Sequence, residues 1–150
     1  MAYWLAKSEP DVYSIDDLKK DKVAEWDGVR NYQARNFLKE MEVGDEVLFY
    51  HSNAKPSGVA GVAKVAKKAY PDPTQFDKKS KYFDPKASKE NPRWFCPDVK
   101  FVKKFKDVVS LDDLREQKSL NEMLVLKKGS RLSVQPVTKK EFETVLKIAK

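Results

Sequence analysis

The sequence predicts an α+β protein built on a mixed, mostly antiparallel, barrel-like β-sheet with helices around it. Segments with the two-residue alternation of strands outnumber segments with helical periodicity, and the two kinds do not alternate regularly along the chain. This order favours a mixed sheet over repeated strand-helix units. The 150 residues are enough for one domain that buries about two thirds of the surface of its unfolded chain. We therefore expect a single domain spanning residues 1–150.

The composition is that of an ordinary soluble protein, with 41% hydrophobic and 35% charged residues. No apolar run approaches the ~20 residues that span a bilayer, so the sequence excludes membrane insertion. The N-terminus lacks the pattern of an export signal, and we expect a cytoplasmic protein, or a nuclear one in a eukaryote. Cys96 is the single cysteine and His51 the single histidine, so we expect no disulfide, no metal and no cofactor.

The basic charge of the chain is concentrated in its middle. Residues 64–106 contain 13 Lys and Arg against 5 Asp and Glu, whereas residues 1–63 contain 8 against 11. Aromatic residues are interspersed among these lysines: Tyr70, Phe76, Tyr82, Phe83 and Trp94. This combination predicts a surface that follows nucleic-acid phosphates, and the alternative is a solvated loop without a partner.

The chain opens with a strand over Tyr3–Ser8, in which alternate residues face opposite sides of the sheet. Ser14 with an acidic residue three positions later forms a capping box and starts a short helix. Equivalent signatures begin at Ser110 and Thr138, and we interpret them as shared capping chemistry rather than an internal repeat.

The middle of the chain predicts a helix followed by a hairpin. Apolar residues at helical spacing indicate a helix over residues 31–41, capped by Asn31. Strands over Glu46–Ser52 and Val59–Val65 are joined by a polar Pro/Gly loop and read as a hairpin.

The last third predicts a long connection, two strands and a terminal helix. Residues 70–93 are rich in Pro, Asp and Lys, and so long a connection is usually functional or disordered. A strand follows over Trp94–Phe105, whose Pro97 places it at an edge or a bulge. Arg131–Gln135 is predicted as the last strand, before a helix over residues 139–149.

The stretch Trp26–Leu38 is the best candidate ligand loop. Gly28 permits a turn with positive φ, and Trp26 offers a flat face beside the polar groups of Arg30, Asn31 and Tyr32. Such a mixture suits a heteroaromatic ring. The alternative is that Trp26 is a core aromatic and Asn31 only a helix cap.

Catalytic motifs are scarce. The chain has no CxxC, GxGxxG or P-loop pattern, and no recognisable Ser, His and acid set. Lys7 and Glu9 flank Ser8 and could perform acid-base chemistry on an amide, but they share a strand face and a simple salt bridge is the favoured interpretation.

Six ordered strings along the chain carry a family resemblance: Lys7-Ser8-Glu9-Pro10, the Trp26–Leu38 stretch, Phe49-Tyr50-His51-Ser52-Asn53, Gly58-Val59-Ala60-Gly61, Ala69-Tyr70-Pro71-Asp72 and Asn91-Pro92-Arg93-Trp94. Together they resemble the EVE domain, in the form found in thymocyte nuclear protein and its free-standing bacterial relatives. The resemblance covers essentially the whole chain. It implies a fold of the PUA-like superfamily, related to the YTH readers of N6-methyladenine in RNA. It also implies an aromatic-lined pocket for a modified base, with 5-hydroxymethylcytosine or 5-methylcytosine in DNA as the usual proposals.

The resemblance also implies site residues. Lys7 and Ser8 resemble the lip of the YTH pocket, and Glu9 would accept a hydrogen bond from the amine of cytosine. Trp26 resembles the stacking wall. The remaining implied residues surround the same cavity: Val29, Arg30, Asn31, Tyr50, His51, Ser52 and, more weakly, Trp94.

The leading functional prediction is a monomeric binding module without catalysis, which reads a modified nucleobase in DNA or RNA. The runner-up is an amidohydrolase that acts on an acylated cytidine, because ASCH domains share the PUA-like barrel and some of them use Lys and acidic residues in this way. A third interpretation is an interaction domain that binds no base.

Overall fold

A computed structural model describes residues 1–127 and 132–149 of the chain. Its core is a six-stranded sheet in the order β2-β5-β4-β3-β1-β6. The strands are β1 (Tyr3–Ser8), β2 (Val23–Glu25), β3 (Glu46–His51), β4 (Gly58–Pro71), β5 (Phe95–Ser110) and β6 (Val134–Val137). The predicted α+β class is confirmed, but the sheet is not closed, so the term barrel describes it only loosely.

The sheet is mixed, as predicted. β1 and β3 run parallel, and every other pairing among the described strands is antiparallel. Ser8 lies opposite His51 in the parallel pair. Because the carboxyl ends of parallel strands meet at one edge, the chain following Ser8 and the chain following His51 emerge side by side.

Four α-helices accompany the sheet: α1 (Ile15–Asp21), α2 (Tyr32–Glu40), α3 (Leu111–Arg115) and α4 (Lys139–Ile148). The capping boxes predicted at Ser14, Ser110 and Thr138 are all present. Asn31 caps α2 by accepting a hydrogen bond from the backbone N–H of Ala34, at 2.9 Å. A side-chain cap of this kind contributes about 1 kcal/mol. No helix among the described residues has the length and apolarity needed to cross a membrane.

Two hydrophobic cores lie on opposite faces of the sheet. The alternation of β1 sends Trp4 and Ala6 into a first core with Leu38 and Phe49. Leu5 points into a second core, which α4 covers with Phe142. A side chain on one strand therefore faces a different core from its immediate neighbours.

Several predicted strand boundaries are wrong. β4 continues past Val65 to Pro71, and β5 continues to Ser110, because the two strands pair with each other along most of their length. The edge position proposed for Pro97 is also wrong, since β2 pairs with β5 beside it, at Asp98–Lys100. The pairing register with β4 shifts at this point, as the alternative of a bulge predicted.

The last strand is Val134–Val137 rather than Arg131–Gln135. Its position is set by pairing with β1, in which Tyr3 lies opposite Val137 and Ala6 opposite Val134. Arg131 lies outside the described residues.

Candidate functional site

An open cavity of about 460 Å³ lies between the segment from α1 to β2 and the tip of the connection between β4 and β5. Its walls include Ser8, Tyr13, Trp26, Asp27, Lys81 and Tyr82. We call it the Trp26 cavity. Its volume falls in the range of about 300–1000 Å³ that is typical of small-molecule sites.

Trp26 is both a cavity wall and a core residue. Only 9% of its surface is exposed, and its ring packs edge-on against Phe49 with centroids 5.4 Å apart. Its backbone N–H donates to the carbonyl oxygen of Pro97 at 2.9 Å. The two interpretations offered by the sequence are therefore not exclusive, because a core residue presents its remaining surface to the cavity.

Gly28 is required by the turn that follows Trp26. Its φ of +80° lies in the left-handed region, which glycine adopts without a Cβ penalty. A Cβ atom at this position would come within 2.7 Å of the Tyr82 ring. Gly28 thus lets the aromatic ring of Tyr82 lie directly against the loop.

Asp72 ties the loop to the connection between β4 and β5. Its buried carboxylate accepts hydrogen bonds from the backbone N–H groups of Gly28 and Thr74, both at 2.8 Å. It also pairs with Nη1 of Arg30 at 3.2 Å. Burial alone would raise the pKa of this carboxyl, but the hydrogen bonds from Thr74, Gly28 and Arg30 outweigh burial and hold the pKa below its usual value.

Arg30 holds Tyr82 in place. Its Nε and Nη2 atoms donate to the carbonyl oxygen of Tyr82 at 3.1 and 2.7 Å. The guanidinium also lies 5.5 Å from the centre of the Tyr82 ring and 5.3 Å from that of Trp94. Arg30 therefore positions the cavity wall and does not line the cavity itself.

Trp94 belongs to the packing of the connection. It is 6% exposed, and its indole Nε1–H donates to Asp84 at 2.7 Å. Its ring stacks on Tyr32 with centroids 5.0 Å apart. Gln75 is also buried. Its side-chain N–H groups donate to the carbonyl oxygens of Asp72 and Trp94, and its side-chain oxygen accepts a hydrogen bond from the N–H of Trp94.

A second cavity of about 370 Å³ adjoins the first. Its walls include Lys7, Ser8, Glu9, Ser52, Lys81 and Tyr82, and we call it the lysine cavity. The two cavities share Ser8, Val12, Lys81 and Tyr82. The side-by-side ends of β1 and β3 bring Ser8 and Ser52 together here, as the sheet pairing requires.

A protein-family model for the EVE domain matches residues 2–148. The chain belongs to the EVE domain family. Human thymocyte nuclear protein 1 is 42% identical over 165 residues, and the match covers 98% of this chain and 73% of the human protein. An X-ray structure of a Pseudomonas syringae protein is 51% identical, with a TM-score of 0.95 and coverage of 98% of this chain and 99% of that one.

A further solved structure is that of the human THYN1 protein in complex with DNA containing 5-methylcytosine. It is 43% identical, with a TM-score of 0.91, and the match covers 99% of this chain and 97% of that one. These matches confirm the family resemblance found in the sequence, together with the fold that it implies.

The EVE domain brings only part of the predicted site together. Trp26 and Ser8 line the Trp26 cavity, whereas Lys7, Glu9 and Ser52 line the lysine cavity. The expected salt bridge is absent from the described part of the chain: Glu9 accepts a hydrogen bond from Asn53, and the Lys7 amine lies 5.9 Å from the ring centre of Tyr50.

The remaining predicted residues lie away from both cavities. Tyr50 is 4% exposed and faces the second core, on the opposite side of the sheet from Trp26. His51 Nε2 accepts a hydrogen bond from the N–H of Ile15 at 3.1 Å, and burial lowers the pKa of this imidazole. Val29 packs against the first core, and Asn31 caps α2. Val29 and Asn31, together with Arg30 and Trp94, hold the loop that follows Trp26 in place.

The cavity residues that the sequence did not identify include Tyr13, Asp27 and Tyr82. Tyr82 was noted only as an aromatic among lysines, although Gly28 signals a close approach by some other group. Asp27 lies directly beside Trp26 and lines the same cavity. Burial, followed by the nearby charges of Asp72 and Glu25, raises the pKa of the Asp27 carboxyl.

Proposed function

We propose that this protein is a non-catalytic reader of DNA that contains a 5-modified cytosine, and that the modified base enters the Trp26 cavity. The observation that carries the proposal is the construction of this cavity. An indole fixed in the core and a tyrosine ring held by Arg30 flank a space of about 460 Å³ with carboxyl groups at its rim. The human relative solved with DNA containing 5-methylcytosine supports the choice of ligand.

Stacking would supply much of the affinity. A base against an aromatic side chain contributes about 1–3 kcal/mol, which is comparable to the few kcal/mol needed to extrude a base from duplex DNA. Val12, Val23 and Ala24 also line the cavity, and they offer apolar contact to a methyl group on the base. Aromatic and apolar walls together account for a preference for a methylated ring.

Asp27 is the candidate for distinguishing cytosine from thymine. A carboxylate accepts a hydrogen bond from the exocyclic amine of cytosine, and thymine has a carbonyl at that position. The sequence suggested Glu9 for this role. Glu9 does not line the Trp26 cavity, and its carboxylate accepts a hydrogen bond from the side-chain amide of Asn53. Asp27 therefore replaces Glu9 in the proposal.

The amidohydrolase alternative has one observation in its favour, since burial lowers the pKa of Lys7 and so favours a neutral, basic amine. Lys7 lines the lysine cavity and not the Trp26 cavity. A general base must lie within hydrogen-bond reach of the reacting group. The amide of a base bound against Trp26 would therefore lie in a different cavity from Lys7.

The proposal is tested by measuring the affinity for matched oligonucleotides that contain one 5-methylcytosine, cytosine or thymine. We expect the tightest binding to 5-methylcytosine, and a loss of at least about tenfold in Tyr82→Ala because 1.4 kcal/mol corresponds to a factor of ten. Phe83→Ala is the matched control, since Phe83 is the next aromatic on the same connection and lines neither cavity. Equal affinity for all three oligonucleotides would refute the proposal.

A further inference from the structure

Lys7 is one of the residues that line the lysine cavity. Within residues 1–127 and 132–149, Lys7 makes no ion pair, and its amine has only the ring of Tyr50 nearby. Burial lowers the pKa of this amine, because removing it from water disfavours the charged form.

A second lysine, Lys81, lines the same cavity. Lys81 lies on the connection between β4 and β5, and its amine is 5.1 Å from the ring centre of Tyr82. It too has no carboxylate partner in the described part of the chain. The cavity thus receives one lysine from β1 and one from the connection, and the two elements are more than seventy positions apart in the sequence.

The other polar groups of the cavity favour an anion over a cation. Ser52 and Ser133 contribute hydroxyl groups, and the backbone of Ser133 is fixed by a hydrogen bond from the N–H of Lys7 at 2.8 Å. Glu9 is the one carboxylate among the lining residues and is outnumbered by the two lysines, and one of its oxygens accepts a hydrogen bond from Asn53. An ammonium group with hydroxyl donors around it is a common phosphate-binding arrangement.

We propose that the lysine cavity binds a phosphate of the same nucleotide whose base enters the Trp26 cavity, with Lys7 and Lys81 as its cationic contacts. The inference rests on the proposed function, because it takes the neighbouring cavity as the site of the base. The two cavities are adjacent, because Ser8, Val12, Lys81 and Tyr82 line both of them. A nucleotide likewise carries its phosphate one sugar away from its base.

The phosphate also explains why a half-buried lysine is left without a partner. A bound anion would supply the opposite charge that favours the ammonium form, and so reverse the effect of burial on the pKa. Lys7 and Lys81 would then give DNA a fixed register, while the Trp26 cavity identifies the base.

The test compares nucleoside and nucleotide binding by calorimetry at low salt, using 5-methyl-2′-deoxycytidine and its 5′- and 3′-monophosphates. For the unmodified protein we expect at least one monophosphate to bind about tenfold or more tightly than the nucleoside. Lys7→Met keeps the apolar stem of the side chain and removes its charge. It should abolish this gain and leave the nucleoside affinity within about twofold, a change of about 0.4 kcal/mol.

Two further variants make the result specific. Lys81→Met changes an exposed residue and should reduce the same gain, so the test does not depend on the folding of Lys7→Met. Lys147→Met removes a charge from the exposed face of α4 and should change nothing. With an oligonucleotide, removing both lysine charges should lower the magnitude of the salt slope by about 0.7–0.9, the value for one phosphate contact.

The phosphate proposal is overturned if the nucleoside and both monophosphates bind the unmodified protein equally, or if the gain survives in both lysine variants. The proposed function fails in a different way, through equal binding of methylated and unmethylated deoxycytidine. A monophosphate gain that Lys7→Met removes would still support the phosphate site in that case.

Discussion

The polar groups around Asp72 and those at the two cavities differ in whether they have partners inside the protein. The first group consists of Asp72, Arg30 and Gln75, which all form hydrogen bonds inside the protein. These bonds join the loop that follows Trp26 to the connection between β4 and β5. Lys7 and Lys81 have no carboxylate partner in the part of the chain that the structure describes. The first group therefore holds the loop and the connection together, and the second contains the two cationic contacts that we propose for a phosphate.

The largest expected effect comes from removing the centre of the paired network. Asp72→Ala would leave the Gly28 and Thr74 N–H groups without their acceptor and Arg30 without its carboxylate. Breaking a buried pair in this way costs about 3–5 kcal/mol. Because the Arg30 guanidinium retains some solvent contact, we expect a loss near 3 kcal/mol in the free energy of unfolding, measured with urea.

Glu90→Ala is the control for this prediction. Glu90 is an exposed acid on the same connection, and surface changes of this kind usually stay within about 0.5 kcal/mol. If both variants lost the same small amount, Asp72 would not be the residue that holds the connection in place.

The same network predicts a pH dependence. The pKa of Asp72 is lowered in the folded protein, so its ionised form stabilises the fold above the unfolded pKa of about 3.9. That stabilisation disappears as the pH falls through the lower, folded pKa. The difference in unfolding free energy between the native protein and Asp72→Asn should therefore shrink on acidification from pH 6 towards pH 3. A difference that grows on acidification would contradict the assigned direction of the shift.

A smaller loss of stability is expected at Gly28. Gly28→Ala places a Cβ at a φ of +80° and within 2.7 Å of the Tyr82 ring. An L-residue in the left-handed region costs about 1–2 kcal/mol, and the Tyr82 ring must also move. We expect a loss in urea denaturation that exceeds the backbone cost of about 1–2 kcal/mol, together with weaker binding of the methylated oligonucleotide. Gly44 also has a positive φ, but a Cβ there meets nothing within 4 Å, so Gly44→Ala isolates the backbone cost.

Local patterns predicted most of the fold. The strand of Tyr3–Ser8 and the helix capped by Asn31 follow from alternation and from helical spacing, both of which depend on neighbours in the sequence. The last strand was misplaced by three residues, because its position depends on pairing with β1 and not on its own composition. Sheet closure was over-predicted for a related reason, since no local pattern shows whether the two edge strands meet.

The site was predicted less completely. Trp26 was found from a local motif and Ser8 from the family resemblance, but Tyr82 reaches Gly28 through a contact between positions 54 residues apart, and no local pattern reports it. The placement of Tyr50 could have been anticipated. The alternation of β3 puts Tyr50 and His51 on opposite faces, and this alternation predicts that a pocket on one face contains only one of the two side chains.

The three tryptophans offer a direct test of where the base binds. Trp4 is buried and its indole donates to Asp45 at 3.0 Å, Trp94 donates to Asp84, and Trp26 lines the cavity. A protein labelled with ¹⁵N has one indole N–H signal for each of them. A base stacked beside one indole should move that signal most, because the ring current of the base acts over a short distance.

The central measurement is a titration of the labelled protein with the oligonucleotide that contains 5-methylcytosine, with each indole signal assigned by a Trp→Phe variant. We predict that the Trp26 signal moves most and that the Trp4 signal stays in place. A titration in which the protein binds the oligonucleotide while the Trp94 signal moves and the Trp26 signal does not would contradict the assignment of the Trp26 cavity.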